Sequence, residues 1–593
     1  MHFTLYNTAN RAFAPVIPAD AQHISFYSCG PTVYDDAHIG NFRSFLAADL
    51  LRRWLESPLC TLKTGDEPGA PLHKGPRTVT HVMNITDVGH MTEDTNADGA
   101  GQDKMELAAQ RLKQAQTESK KDGSAHKAAN IDPNDPRAIA RFYEQRFKDD
   151  AIKLGLKVAI EDRDRNENDP VLMPRASDHV DHMKQVITDL LNNDHAYTAG
   201  SPGARAVYFN TQSFPNYGSL SGNTLEQLKG GAGGRVDDTQ QSEKKHPADF
   251  LLWKEDSSHK MKWPAPDHQQ CKDWDQGYPG WHIECTAMAL ACLIPGGLEA
   301  ASKNQSTIDI HSGGEDNIFP HHECEIAQSC CFTNSDNPEE ATFARHWFHA
   351  RFLKVEGEKM SKSKGTMHTL SDLTDKGIDP AAIRLELIKT HYRANADFSM
   401  QGLKESALRI ERWREMARRL QYAVKNDPDL IEYNALNSIS DSIASSLSDD
   451  LNISGVLGAI DSATKSHAGK APLDIDHIYQ NTTLADTPYD EEKISELLAS
   501  NKRSFQQLAI LHRIDNILGV IFRPIKKGEQ TGIALYKPGV TPSPEIESLL
   551  QKRAEAKKAK DFAAADSIRD QLAQMNLTIM DKPEGKVEVA PAN

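Results

Sequence analysis

Two short stretches carry side chains suited to phosphate chemistry. His38-Ile39-Gly40-Asn41 lies between an expected strand and an expected helix. A glycine there lets a ligand approach the backbone, and a helix N-terminus offers unpaired N–H groups and a positive dipole end. His38 and Asn41 fall one helical turn apart, so both are expected to face a triphosphate. Four residues also fit a surface turn, so the assignment leans on a second stretch. Lys359-Met360-Ser361-Lys362-Ser363, followed by Lys364-Gly365-Thr366, sets three lysines among small residues. Such a cationic loop can neutralise charge developing on a pyrophosphate leaving group.

A third set suits a metal. His321 and Glu325 stand four residues apart and share one face if helical. With Cys29 and Cys285 they offer imidazole, carboxylate and two thiolates, ordinary zinc ligands. Spacing alone does not select them. Cys60, Cys271, Cys292, Cys324, Cys330 and Cys331 compete, and most cysteines are small core residues.

The elements that must position these groups follow from periodicity. His23 to Cys29 alternates as a short strand. Phe42, Leu46, Leu50 and Trp54 recur every fourth residue, as in an amphipathic helix, and Val79 to Ile85 reads as a second strand. Strand, helix, strand predicts a parallel α/β unit. The Pro/Gly/Lys-rich stretch Lys63 to Thr78 is expected to be a loop, and Gln114 to Pro136 a flexible insertion. Gly230-Gly231-Ala232-Gly233-Gly234 reads as a turn, because no Lys-Ser/Thr follows it as in a phosphate loop. Beyond about Gly402 the pattern turns helical. Ile410, Trp413, Ala417, Leu420 and Val424 step by three and four, as do Phe562, Ala565, Ile568, Leu572 and Met575 behind a cap at Asp561. The architecture is therefore α/β first and all-α later.

Composition bounds the rest. A chain of 593 residues exceeds one core and implies several domains. No apolar run approaches the ~18 residues of a membrane span. Met1 to Asn10 lacks the basic and apolar regions of a secretory signal. Eight cysteines are too few for a disulfide scaffold and read as reduced cytosolic thiols, so a cytoplasmic location is expected. The net charge of -16 argues against a protein coated in nucleic acid, but not against one local basic face. Lys552, Arg553, Lys557, Lys558 and Lys560 form such a patch, to which Lys526 and Lys527 add.

Together the first two stretches resemble the HIGH and KMSKS signatures of class I aminoacyl-tRNA synthetases. Phe26-Tyr27-Ser28-Cys29-Gly30-Pro31-Thr32-Val33-Tyr34-Asp35, Pro279 to Met288, and Asp309-Ile310-His311-Ser312-Gly313-Gly314-Glu315-Asp316 running on to Glu325 resemble signatures of the cysteinyl-tRNA synthetases. So do Asp249 to Lys254, Asp449-Asp450-Leu451-Asn452 and Lys560 to Asp566. The resemblance spans about Ile24 to Glu588. It implies that Cys29, Cys285, His321 and Glu325 hold one zinc ion, taking the first histidine of His321-His322 and the second glutamate of Glu323-Cys324-Glu325. It implies that Thr86, Trp281 and Asp316 line a cysteine pocket, and that His38, Asn41, Lys359 and Lys362 serve ATP and its Mg²⁺. The implied partners are L-cysteine, ATP and tRNA-Cys, with no membrane, acting on a monomer. The resemblance implies an α/β Rossmann-type catalytic domain with a parallel sheet, split by a connective insertion and followed by an all-α C-terminal region: 1–160 and 246–350 for the two catalytic halves, 161–245 for the insertion and 351–401 for the KMSKS region. A helical tRNA-binding bundle at 402–535 and a small anticodon-recognition domain at 536–593 complete them.

A zinc that selects thiolate would separate cysteine from serine without an editing domain. Four protein ligands normally close a zinc site, so Glu325 is expected to bind weakly or the ion to take a fifth ligand. Two departures stand out. After Asn84-Ile85-Thr86-Asp87 the run is Val88-Gly89-His90 and then Met91-Thr92-Glu93-Asp94, so an acidic pair is replaced or displaced, and the HIGH stretch ends in Asn41, whose amide still donates to phosphate. Two other functions compete. One is a ligase joining cysteine to an amino sugar, whose family lacks the anticodon-binding part; the other is a non-catalytic paralogue.

Overall fold

The computed structural model describes the chain apart from residues 89–103, 123–130, 225–242, 305–306, 361–365, 470–477, 479–481, 483, 485–486, 524–529, 532–533, 537–543, 559–560, 576, 582–586 and 592–593. The glycine run at 230–234, Lys526, Lys527 and Lys560 lie outside the described residues. The chain forms two compact units. One comprises 1–354, 390–396 and 440–457; the other holds 355–389, 397–439 and 458–593.

The first unit is organised by a parallel four-stranded sheet. Its members in chain order are β1 (His23–Ser28), α1 (Ile39–Glu56), β2 (Thr78–Met83), α2 (Trp281–Leu293), β3 (Ile308–Gly314), α3 (Glu323–Thr333) and β4 (Ala344–Ala350). The strand order is β4-β3-β1-β2. Phe26 pairs with His81 and with Ile310, and Ile310 with His346. The expected strand–helix–strand unit is thus β1-α1-β2. Helices α1 and α2 pack on the sheet, and Ile24, Phe26, Tyr27 and Ser28 of β1 are buried. Phe42, Leu46, Leu50 and Trp54 are the buried stripe of α1. A second, antiparallel sheet inserted in this unit pairs Ala196–Ala199, Ala206–Phe209, Phe250–Glu255 and Gly277–Pro279.

Two expected loops are more ordered than their composition suggests. Lys63 to Thr78 is mostly a hairpin, in which Thr61–Lys63 pairs antiparallel with Leu72–Lys74. Three-residue strands are too short to show a period amid prolines and glycines. The start of Gln114 to Pro136 belongs to the helix Lys104–Asp122. That helix is polar along most of its length, which masked its period.

In the second unit Pro380–Ile388, Met400–Asn426 and Arg503–Leu518 pack as helices. Ile410, Trp413, Ala417 and Leu420 are buried. Asp561 caps Phe562–Gln574 by accepting from the Ala564 N–H (3.0 Å). The helical character is as expected. The region also contains a four-stranded sheet of Gln530–Thr531, Ala534–Tyr536, Leu577–Asp581 and Val587–Pro591, which periodicity did not reveal.

One buried cation braces α1 within the first unit. Arg43 is 2% exposed and donates to the carbonyls of Arg351 (3.3 Å), Thr390 (3.3 Å), His391 (3.0 Å) and Ala394 (3.1 Å). Burial lowers its pKa to about 10, so it stays charged at neutral pH. Replacing it with Met leaves those carbonyls without this donor and is expected to cost about 2–4 kcal/mol. A thermal-denaturation comparison of the full chain checks this; an unshifted midpoint would show that water substitutes for the guanidinium.

Candidate active site

In parallel α/β sheets, ligands bind beyond the carboxyl ends of the strands. Cys29 directly follows β1, and its N–H donates to the Ser312 carbonyl on β3 (3.0 Å). The Gly30 N–H donates to Asn84 Oδ1 (2.8 Å). A Cβ on Gly30 would lie 1.8 Å from the Asn84 carbonyl oxygen, so only glycine lets the chain pass here and hold Cys29 over the sheet. Cys285 sits in the second turn of α2. His321 lies in a widened turn, Ile318–His322, where Phe319 leaves helical geometry (φ -140°, ψ 132°). Glu325 follows in the first turn of α3.

These four distant residues converge. Cys29 Sγ lies 3.8 Å from Cys285 Sγ and 3.5 Å from Glu325 Oε1. His321 Nε2 lies 3.1 Å from the same carboxylate oxygen. All four are buried, and their ligand atoms lie within 4.8 Å of one another, so the cluster can hold a metal ion. Trp281 stacks on the His321 ring with centroids 4.3 Å apart, and His282 Nδ1 meets His321 Nδ1 at 2.9 Å. Gln328 fixes His282 in turn by donating to its carbonyl (3.0 Å).

Burial sets the protonation states. Burial, with neighbouring Cys285 and Glu325, pushes the Cys29 thiol well up. The Cys285 thiol is lowered by its hydrogen bond with Cys29 and raised by burial, with a net rise. Burial lowers His321 to about 3 and His282 to about 4. Without a cation the pocket therefore holds neutral thiols and neutral imidazoles. Neutral imidazoles are ready ligands, whereas the thiols must lose their protons.

The other predicted residues are placed as follows. His38 is the N-cap of α1: its Nδ1 accepts from the Gly40 (3.1 Å) and Asn41 (3.3 Å) N–H groups. Asn41 Oδ1 accepts from the His38 N–H (3.1 Å), closing a reciprocal box. Both residues stand at the α1 N-terminus, where these atoms cap the helix. Thr86 is buried after β2 and accepts from Asn84 Nδ2 (3.0 Å). Asp87 beside it is buried and anchored, accepting from Ser177 N–H (2.8 Å), Ser177 Oγ (2.7 Å) and Arg141 (3.0 Å). Val88 joins the core, while Gly89 and His90 lie outside the described residues. Asp316 is exposed in the turn Glu315–Asn317 after β3. Lys359 ends the short strand Glu358–Lys359 in the second unit, and Lys362 lies outside the described residues.

Comparison with known proteins bears on this arrangement. A family model described as tRNA synthetases class I (C) catalytic domain matches residues 15–63 and 72–408. One described as cysteinyl-tRNA ligase anticodon binding domain matches 542–587. The chain is similar to "cysteine–tRNA ligase" of Salinibacter ruber, 34% identical over 98% of this chain and 97% of that protein. It is also similar to the protein of the same name from a Thermus thermophilus strain, 33% identical over 99% and 98%. The chain belongs to the cysteinyl-tRNA synthetase family. Among solved structures it is similar to an Agrobacterium radiobacter K84 LeuRS complex, with TM-score 0.48, 10% identity and coverage of 98% and 97%.

The cysteinyl-tRNA synthetase model passes over residues 64–71, the tip of the hairpin at Thr61–Lys74. In the region matched by the anticodon-binding model, the basic patch is smaller than the sequence suggested. Arg553 is buried and bidentate to Asp581 (2.7 and 3.0 Å), and Lys557 pairs with the same carboxylate (2.7 Å). Lys552 and Lys558 remain exposed. Sequence reasoning missed His282, His311, His322 and His349 as surroundings of this candidate metal site. The His321-His322 doublet was the available signal, but a doublet does not reveal which strand it faces.

Proton bookkeeping in the pocket gives a direct test. Binding a divalent ion should release two protons, one from each raised thiol, so affinity should fall steadily as pH drops below neutral. His321 should add nothing to this slope near pH 6, being neutral already. Calorimetric titration in buffers of differing ionisation enthalpy measures the release; none would mean the thiols are not ligands.

Proposed function

We propose that this chain activates L-cysteine with ATP to cysteinyl-adenylate and transfers it to the 3′ end of tRNA-Cys. The observation that carries this reading is the convergence of Cys29, Cys285, His321 and Glu325 in one buried pocket of a cysteinyl-tRNA synthetase family member. Two thiols, an imidazole and a carboxylate fit zinc. Zinc, when bound, is borderline-soft and favours a thiolate over a hydroxyl, the one atom by which cysteine and serine differ. The protein residues supply the rest. Trp281, packed on His321, walls the pocket; Thr86 and Asp316 orient the polar end of cysteine.

Activation needs no side-chain nucleophile, because the substrate carboxylate attacks the α-phosphate of ATP in line. Positioning and charge neutralisation at the leaving pyrophosphate carry the rate. The α1 N-terminus with His38 and Asn41, and the lysines Lys359 and Lys362, are assigned that task, with Mg²⁺ accompanying ATP. A 2′-OH of the terminal ribose then attacks the carbonyl carbon of the adenylate, forming the ester and releasing AMP. Residues 402–535 are read as the tRNA-binding bundle and 536–593 as the anticodon-recognition domain, on a cytoplasmic monomer. Among the described residues no single helix is long and apolar enough to cross a membrane. The anticodon-binding match at 542–587 favours tRNA over an amino sugar as acceptor.

Transfer of labelled cysteine to total tRNA, with ATP and Mg²⁺, tests the assignment. Serine should be activated more than about 10³-fold less efficiently, beyond the ~200-fold that pocket fit alone supplies. Activation without charging would indicate another acceptor. Phe562, 62% exposed at the start of its helix, offers a face for an unstacked base. Phe562→Ala should raise the KM for tRNA by about 5–150-fold, from a stacking loss of ~1–3 kcal/mol, while leaving cysteine-dependent ATP–pyrophosphate exchange intact.

A further inference from the structure

The pocket contains a second complete donor set. Cys29, His311, His322 and Glu325 are all buried, and their ligand atoms also lie within 4.8 Å of one another. His322 Nε2 is 3.2 Å from Cys29 Sγ, and His311 Nε2 is 2.9 Å from Glu325 Oε2. The two sets share Cys29 and Glu325 and differ by exchanging Cys285 and His321 for two imidazoles.

His322 is held as a ligand should be. Its Nδ1 meets His349 Nε2 at 2.7 Å, and His349 Nδ1 meets Thr8 Oγ1 at 2.8 Å. With His322 donating along that chain, its Nε2 presents a lone pair toward Cys29. A metal-bound histidine nearly always gives its other ring nitrogen to such a partner. Gly313 makes room for the ring: a Cβ there would meet His322 Cε1 at 2.7 Å. His311 is stacked on Trp347 (centroids 4.5 Å apart), and its Nδ1 is buried with no partner. A hydrogen-bonded, sterically fitted imidazole and a second one with an unsatisfied nitrogen are unusual inside a core unless a further group engages them.

We propose that the cavity offers a divalent cation a second, overlapping seat formed by Cys29, His311, His322 and Glu325. This rests on the metal reading under Proposed function and deepens it. One seat supplies two thiolates, the other one thiolate and two imidazoles, so the second is the harder environment. Sharing Cys29 and Glu325 makes the seats alternatives.

Full-length protein loaded with Co²⁺ tests this through metal content and the intensity of the sulfur-to-metal charge-transfer band. Wild type should bind one ion with a band from two thiolates. Cys285→Ser should still bind one ion, with the band reduced to about half as one thiolate replaces two. His322→Asn alone should leave affinity within about twofold of wild type, since the first seat is intact, but added to Cys285→Ser it should cost at least about tenfold more. Circular dichroism separates misfolding from ligand loss, and His311→Asn in the Cys285→Ser background gives an independent second arm with the same expected loss. If folded Cys285→Ser loses metal as fully as Cys29→Ser, or the double variants bind like Cys285→Ser, the second seat is overturned. If wild type binds no ion, the metal reading itself fails.

Discussion

Thiols, imidazoles and a carboxylate cannot be packed into an apolar core at no cost. Each loses hydration, and each resists charging there. Cys29, Cys285, His321 and Glu325 are nonetheless all buried at one point, with His282, His311, His322 and His349 buried around them. A divalent cation bound there would offset that cost by replacing water as the partner of several donors at once. The remainder of the first unit is arranged to keep these groups together: β1 delivers Cys29, α2 brings Cys285, and the turn into α3 carries His321 and Glu325.

The holding is mutual. Asn84 fixes Gly30, next to Cys29, and also bonds Thr86 at the end of β2. Gly30 must lack a side chain because the Asn84 carbonyl lies where its Cβ would be. Trp281, at the N-terminus of the helix bearing Cys285, packs on His321. The pocket is thus braced both from the end of β2 and from the N-terminus of α2.

Parts of this were legible in the sequence for physical reasons. The β1-α1-β2 unit showed because Phe42, Leu46, Leu50 and Trp54 keep one face buried. His321 and Glu325 were paired by their spacing. Cys29 and Cys285 are 256 positions apart, so only the resemblance to a family singled them out from eight cysteines. The hydrogen-bond box between His38 and Asn41 was invisible because side-chain capping depends on rotamers rather than residue type alone. The salt bridges of Arg553 and Lys557 to Asp581 join a helix to a strand 24 or more residues on, so a run of cations read as open surface when part of it is neutralised. The C-terminal sheet was missed because strands as short as Gln530–Thr531 carry no period.

The most direct measurement is X-ray absorption at the zinc edge of the zinc-loaded protein, before and after adding cysteine or serine. Coordination by Cys29 and Cys285 predicts two sulfur neighbours in the free protein, three with cysteine, and two still with serine. A sulfur count that stays unchanged with cysteine would contradict selection of the substrate by its thiolate, and leave the buried cluster a structural site.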